Sequence, residues 1–367
     1  MYSSSFTTSR IVDDLIPFIL EGNDHWWPRD LIRLSQVSQA WLGPARRILY
    51  ASPALHSFNA CSQLARTLSD NPSLCSLVKE IDLRPISRNS SVSTQPGIKE
   101  GAGVRFILGL EGLESVTLGG YLAFGAERFL HSLGDPYIVR YLHIDGSLAE
   151  DSLSARPSLE WDESLAFKFQ SLRILRLTSL ELDIIYPSIP YQLSICEFIL
   201  DNVTITSGFL SHLLCETPSL ERLCMLTKDA SEYDEHLKLV LGICNIQILE
   251  YETQTDLPFH HTIFNGDTHL PSLRCLRLNG VHIDTDSLHA IGQSCRNLEE
   301  LSIFGRTVNI HPQDWVDFLK SGNPSSLHNL GLPWGTNRPP FMKWHNTARQ
   351  EILAAAAHRR IHVFSDS

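Results

Sequence analysis

Long apolar runs are absent from this chain of 367 residues: no stretch approaches the about 18 uninterrupted apolar residues that suit a membrane span. Residues Met1 to Arg10 are rich in Ser and Thr and carry no apolar core of an export signal. A soluble protein of the cytoplasm or nucleus, with no membrane partner, is expected. Basic runs are absent too, and 30 Lys and Arg against 41 Asp and Glu leave a net charge of -11. Nucleic acid is therefore not expected as a partner, because phosphate binding needs clustered cations. None of the eight cysteines, Cys61, Cys75, Cys196, Cys215, Cys224, Cys244, Cys275 and Cys295, forms a CxxC pair. Small, buried, reduced thiols are the simpler reading. The GxSxG, HExxH, Walker and GxGxxG signatures are also missing, so the common hydrolase, zincin and nucleotide chemistries have no carrier, and neither catalysis nor a cofactor is expected. His260-His261 is the one adjacent histidine pair, but on an extended segment the two rings point apart, so no metal site is expected.

What is present is a repeat. Ten copies of one apolar spacing, as in Leu273-Arg274-Cys275-Leu276-Arg277-Leu278, begin at Val78, Leu113, Val139, Leu172, Ile195, Leu220, Ile246, Leu273, Leu298 and Leu327. Most neighbours are about 23 to 29 residues apart, a period that belongs to solenoids. The first, fourth and sixth positions are apolar, and the last two alternate with an outward residue such as Arg277, the pattern of a short half-buried strand. An amphipathic segment then follows, as at 286–292, with Thr285 or Asp286 as its N-cap. The fold class expected is α/β: a horseshoe solenoid, parallel strands on the concave face and helices on the convex one, in residues 71–337. Stretches near 85–103 and 145–167 lack the period and read as inserted loops, the first of them mobile. Residues 338–367, with a helix over Met342 to Ala357 and a last strand at Ile361 to Phe364, read as a C-terminal cap, and 51–70 as a linker helix.

The stretch Leu273 to Ile303 resembles the cysteine-containing subclass of leucine-rich repeats, with Ile283-Asp284 and Cys295 at matching positions and Val281 in place of the subclass cysteine. Val203-Thr204-Ile205-Thr206 repeats the theme. Ahead of the repeats, behind a tail over 1–8 expected to be disordered, residues 9–50 form a separate block. Leu31, Leu34, Val37, Ser38 and Trp41 follow helical spacing and share one helix face. Asp13-Asp14 suits a helix start, and Trp26-Trp27 reads as loop aromatics packed on the helices. The block resembles an F-box: Asp30, Leu31, Leu34, Val37, Trp41, Ala45 and Leu49 fall where that pattern places them. Val12 stands where the family has Pro, Ser38 where it has Cys, and Pro17 sits inside the first helical stretch.

The resemblance implies a substrate-recognition subunit of a cullin-RING ubiquitin ligase. Its F-box would bind a Skp-type adaptor, and through it a cullin, while the repeat surface recruits a target protein. The adaptor-binding candidates are Ile11, Leu15, Ile16, Leu31, Leu34, Val37, Trp41 and Leu49. Among outward strand residues, Arg176, Arg222 and Arg277 are the first target-binding candidates, since Arg is enriched at binding hot spots, with Glu250 and Phe304 beside them. The alternative is a leucine-rich-repeat interaction scaffold with no ubiquitin-ligase role, its N-terminal helices only capping the first repeats.

Overall fold

The computed structural model describes residues 7–22, 26–86, 98–149, 156–214, 217–228, 233–254, 263–264, 269–305, 308–334 and 343–365. The protein is mixed α/β with mostly parallel strand pairing. It divides into two compact units, Met1–Leu142 and His143–Ser367.

The first unit opens with three helices, α1 (Thr7–Glu21), α2 (Pro28–Ser35) and α3 (Gln39–Ala51). Helical spacing across Leu31, Leu34, Val37 and Trp41 predicts one continuous helix, yet the chain turns at Gln36 and Val37 between α2 and α3. Pro28, at the first helical position of α2, meets no lost hydrogen bond there. Asp13 and Asp14 lie inside α1 rather than at its start, because the helix already begins at Thr7, in the expected tail. Pro17 sits within α1 without ending it.

Next come β1 (Ala54–Leu55), α4 (Phe58–Asp70), β2 (Glu80–Leu83), α5 (Ile98–Leu108), β3 (Ser115–Gly119) and α6 (Ala126–Leu130). Strands β1, β2 and β3 pair in parallel, with Ala54 opposite Asp82 and Ile81 opposite Val116. The linker expected to be all helix thus begins with a short strand, and α4 starts where the Ser57 hydroxyl accepts from the Ala60 N–H at 3.2 Å. The loop expected over 85–103 is corrected at its far end: α5 starts at Ile98, and 87–97 lie outside the described residues.

Strand β4 (Tyr141–Asp145) ends in the second unit, which continues through β5 (Ser158–Trp161), α7 (Glu163–Lys168), β6 (Ile174–Thr178), β7 (Glu181–Ile184), β8 (Glu197–Asp201), β9 (Thr204–Ser207) and α8 (Leu210–Leu213). After these come β10 (Arg222–Thr227), α9 (Asp234–Ile243), β11 (Ile248–Thr253), β12 (Cys275–Asn279), β13 (Ile283–Asp284), α10 (Thr285–Ser294) and β14 (Glu300–Phe304). The last elements are β15 (Val308–Asn309), α11 (Pro312–Ser321), β16 (Asn329–Gly331), α12 (Asn346–His358) and β17 (His362–Phe364).

All ten sequence copies place a strand two residues after their first apolar position, from Glu80 after Val78 to Asn329 after Leu327. In the second unit β6, β8, β10, β11, β12, β14, β16 and β17 lie side by side. Register aligns the fourth positions in one row, Leu175, Phe198, Leu223, Leu249, Leu276, Leu301 and Leu330, ending on Val363. Leu177, Leu200, Met225, Tyr251, Leu278 and Ile303 form the row of sixth positions. Both rows are buried from Leu175 to Leu330, and each buried Leu contributes about 1.5–3 kcal/mol.

A second set of short strands is the main departure from the sequence reading. Strands β5, β7 and β9 form one small parallel sheet, and β13 pairs with β15 in another. The stretch expected as a loop over 145–167 supplies β5 and the start of α7, with 150–155 outside the described residues. The chain reaches the short strands by turning directly after the long ones, with left-handed backbone at Ser179, Asn202, Gly280 and Gly305 (φ 51°, 53°, 69° and 104°). A Cβ at Gly280 would stand 2.1 Å from the Thr253 carbonyl oxygen, so that turn accepts no side chain. Helix α10 is capped one residue earlier than expected: Asp284 accepts from the Ser287 N–H at 2.8 Å and its hydroxyl at 2.7 Å. At the C-terminal end, the helix expected from Met342 starts at Asn346, and the last strand forms as β17 beside β16.

Candidate functional site

Among the described residues two surfaces, one in each unit, gather the candidate residues. The first is on α1 to α3. Ile16 and Leu20 of α1, Leu31 of α2 and Ala45 of α3 form a small core, with Trp26, Leu34, Ala40, Trp41, Ile48 and Leu49 packed around it. Trp26 Nε1 donates to the Leu20 carbonyl oxygen at 3.0 Å. With this core complete, apolar side chains remain outside it. Leu15, Phe18 and Ile19 follow i, i+3, i+4 spacing on α1, where Ile16 and Leu20 mark the buried side. Phe18 is 72% exposed, and Val37, in the turn after α2, is 65% exposed; Ile32 and Trp27 are also exposed. The guanidinium of Arg29 stands 5.7 Å from the centre of the Trp27 ring. A helix apolar on two sides has one side more than its own core uses.

The eight adaptor candidates therefore separate. Leu15 and Val37 are surface residues; Leu34, Trp41 and Leu49 are half-buried around the core; Ile16 and Leu31, 1% and 4% exposed, are inside it and offer no surface to a partner. Ile11 lies in α1, and its side chain is outside the described residues. Phe18, Ile19 and Ile32 escaped the sequence reading, although the i, i+3, i+4 spacing of Leu15, Phe18 and Ile19 was available there; of the two tryptophans expected to pack on the helices, Trp26 does and Trp27, 64% exposed, does not.

The second surface is the outward face of β6 to β17 in the second unit. Across five adjacent strands, acids and arginines alternate: Glu197 on β8, Arg222 on β10, Glu250 on β11, Arg277 on β12 and Glu300 on β14. Arg222 reaches Glu197 at 3.0 Å through Nη1 and Glu250 at 3.1 Å through Nη2. Arg277 reaches Glu250 at 2.5 Å through Nη1 and Glu300 at 2.8 Å through Nε. The register explains the alternation, since Glu250 lies directly opposite Arg277 and Cys224, and so two residues along the strand from the position opposite Arg222. Arg176 stands 4.0 Å from Asp201 on the neighbouring strand.

Electrostatics follow this geometry. Burial pushes the Glu250 carboxyl up, but hydrogen bonds from Cys224, Arg222 and Arg277 outweigh it and hold the group below its ordinary value. Asp201 is raised, by burial first and by nearby Asp145, with Arg176 only partly compensating. Burial, with Glu250 beside it, pushes the Cys224 thiol up to about 12, and burial also takes Cys275 to about 12, so neither is a ready nucleophile. At one end of the face the rings of Phe304 and Phe364 lie 6.2 Å apart and His362 stacks on Phe364 at 6.3 Å. A Cβ on Gly331 would meet both phenyl rings, within 2.6 and 3.0 Å, so glycine provides the floor on which they rest.

All five target candidates, Arg176, Arg222, Glu250, Arg277 and Phe304, point to this one face, and four of them hold intramolecular ion pairs. Glu197 and Glu300, which complete the pairing, count as outward strand residues in the sequence but were not among the target candidates. Among the described residues no group of three or more His, Cys, Asp or Glu is placed to hold a metal ion, and His260-His261 lies outside those residues. No described helix is long and apolar enough to cross a membrane. No protein-family model matches the chain, and a search of curated proteins gives no match either.

Proposed function

We propose that the chain is a substrate receptor of a cullin-RING ubiquitin ligase: an F-box-like helical module captures a Skp-type adaptor, and a leucine-rich-repeat solenoid holds the target protein. The reading rests on the resemblances stated above and, physically, on one observation. The three-helix module closes its own core and still presents Leu15, Phe18, Ile19, Ile32 and Val37 to solvent. Side chains of this size left outside a complete core mark a protein-binding surface. The ten aligned copies, each giving one strand, support the repeat assignment.

In this role the chain makes and breaks no covalent bond. It raises the target's effective concentration near transfer machinery carried by other subunits and restricts its orientation. The test is capture of a purified Skp-type adaptor by the full chain, compared with a Phe18→Asp, Val37→Asp double variant. Both replaced side chains are exposed, so the fold is expected to survive the change. Capture by the wild type and its loss in the variant supports the reading; no capture by the wild type refutes it.

A further inference from the structure

The strand face of the second unit holds more carboxylate than its arginines use. Arg222 and Arg277 each bridge two acids, so their strongest donors are already engaged. Among the described residues, Glu197 and Glu300 each bond an arginine through a single oxygen. Among the described residues Asp201 pairs with Arg176 alone, at the 4.0 Å limit of an ion pair. Glu252 is exposed on β11, on the same side of the strand as Glu250, and makes no ion pair among the described residues. The face thus sets five carboxylates, Glu197, Asp201, Glu250, Glu252 and Glu300, against the three guanidinium groups of Arg176, Arg222 and Arg277. Carboxylates outnumber guanidinium groups on these strands, so the face is net negative, although among the described residues the Nε donors of Arg176 and Arg222 also lack partners.

Beside this acidic stretch lie the rings of Phe304, Phe364 and His362. At the junction, opposite Arg277 in register, Ser302 is 1% exposed and its hydroxyl has no hydrogen-bond partner. At that exposure the hydroxyl is out of a partner's reach, so contact at the junction falls to the rings.

We infer that this face takes an extended segment of a protein bearing lysine or arginine along β8 to β14, followed by an aromatic or aliphatic side chain over Phe304 and Phe364. This names the class of target for the receptor reading and rests on it. Opposite charge supplies register and encounter rate, and the apolar end supplies contact area. Seven neighbouring strands at about 4.8 Å each span about 29 Å, the reach of about nine extended residues. Arg277 acts here as an internal counter-charge that limits the face's acidity, not as an anchor for the target.

The experiment uses the full chain and two fluorescein-labelled synthetic peptides, one alternating Lys and Arg with Phe, the other with Glu in place of each cation. Fluorescence anisotropy is expected to show the basic peptide bound at least about tenfold tighter than the acidic one, with the preference shrinking as salt rises. Glu252→Lys, at an exposed position, weakens the basic peptide while leaving the thermal melt unchanged. Arg277→Ala frees two carboxylates and strengthens it. Equal or tighter binding of the acidic peptide, or weaker binding of the basic peptide to a folded Arg277→Ala protein, overturns the inference. Adaptor capture is scored separately. A chain that captures the adaptor but ignores the basic peptide refutes this inference and spares the receptor reading; one that binds the basic peptide without the adaptor does the reverse.

Discussion

Replacing Leu276 by alanine tests the strand register most sharply, because its neighbour in sequence, Arg277, faces the other way. Leu276 is fully buried in the row between Leu249 and Leu301, its partners on the flanking strands. Parallel pairing on both sides pins the backbone at the spacing between strands, so the cavity left by the missing side chain closes only partly. Lost transfer energy and a residual cavity together cost about 2–5 kcal/mol at such sites, and the restraint on both flanks puts this one in the upper half. Arg277 is about half exposed and joins Glu250 and Glu300 in solvent-screened ion pairs. Its replacement by alanine removes pairs worth about 0–1 kcal/mol each. Urea melts followed by circular dichroism read both, with the slope compared between variants to confirm that the same surface unfolds. Equal destabilisation by the two substitutions would refute the register and the assignment of inward and outward faces.

Three smaller perturbations probe other parts of the fold. Asp284→Ala removes the cap at the start of α10, where the carboxylate accepts from Ser287, and is expected to cost about 1 kcal/mol in a urea melt. Gly280→Ala forces a Cβ to 2.1 Å from a carbonyl oxygen at φ 69°, so it is expected to destabilise by more than the about 1 kcal/mol of a left-handed alanine alone, again read by urea melt. His236 is held below its ordinary value by burial first, with His212 adding to the effect and Glu235 opposing it, and its Nδ1 accepts from the Leu210 N–H at 3.4 Å. The unfolded chain therefore binds this proton more readily; the stabilisation is whole above the unfolded value of 6.5 and is lost as pH falls from there through the lower folded value, so His236→Gln should flatten the pH dependence of thermal melts in that window.

The long strands were legible because their signal is local. Each needs only the alternation of its fourth and sixth apolar positions, as at Leu276 and Leu278, and the ten copies repeat it. Strands β5, β7, β13 and β15 were not legible, since two to four residues carry too little alternation and their pairing depends on turns such as those at Ser179 and Asn202. Ser and Asn there adopt left-handed backbone without the glycine that would have announced it. The break after Ser35 was hidden for the opposite reason: Leu31, Leu34, Val37 and Trp41 keep helical spacing through a turn that neither Gly nor Pro marks. Partition of the module's apolar residues into core and surface also exceeds sequence reading, because Leu15 and Ile16 are adjacent and chemically alike yet lie on opposite sides of α1. The acid and arginine ladder required register between strands about 25 residues apart, which local pattern does not hold.

The receptor reading stands or falls on capture of a Skp-type adaptor. Purified full-length protein and adaptor, mixed and separated by size-exclusion chromatography, are predicted to co-elute at equal stoichiometry, with co-elution lost in the Phe18→Asp, Val37→Asp variant while its melt stays that of the wild type. Separate elution of the wild-type protein and the adaptor, or undiminished co-elution of the folded variant, would rule out adaptor binding through this surface.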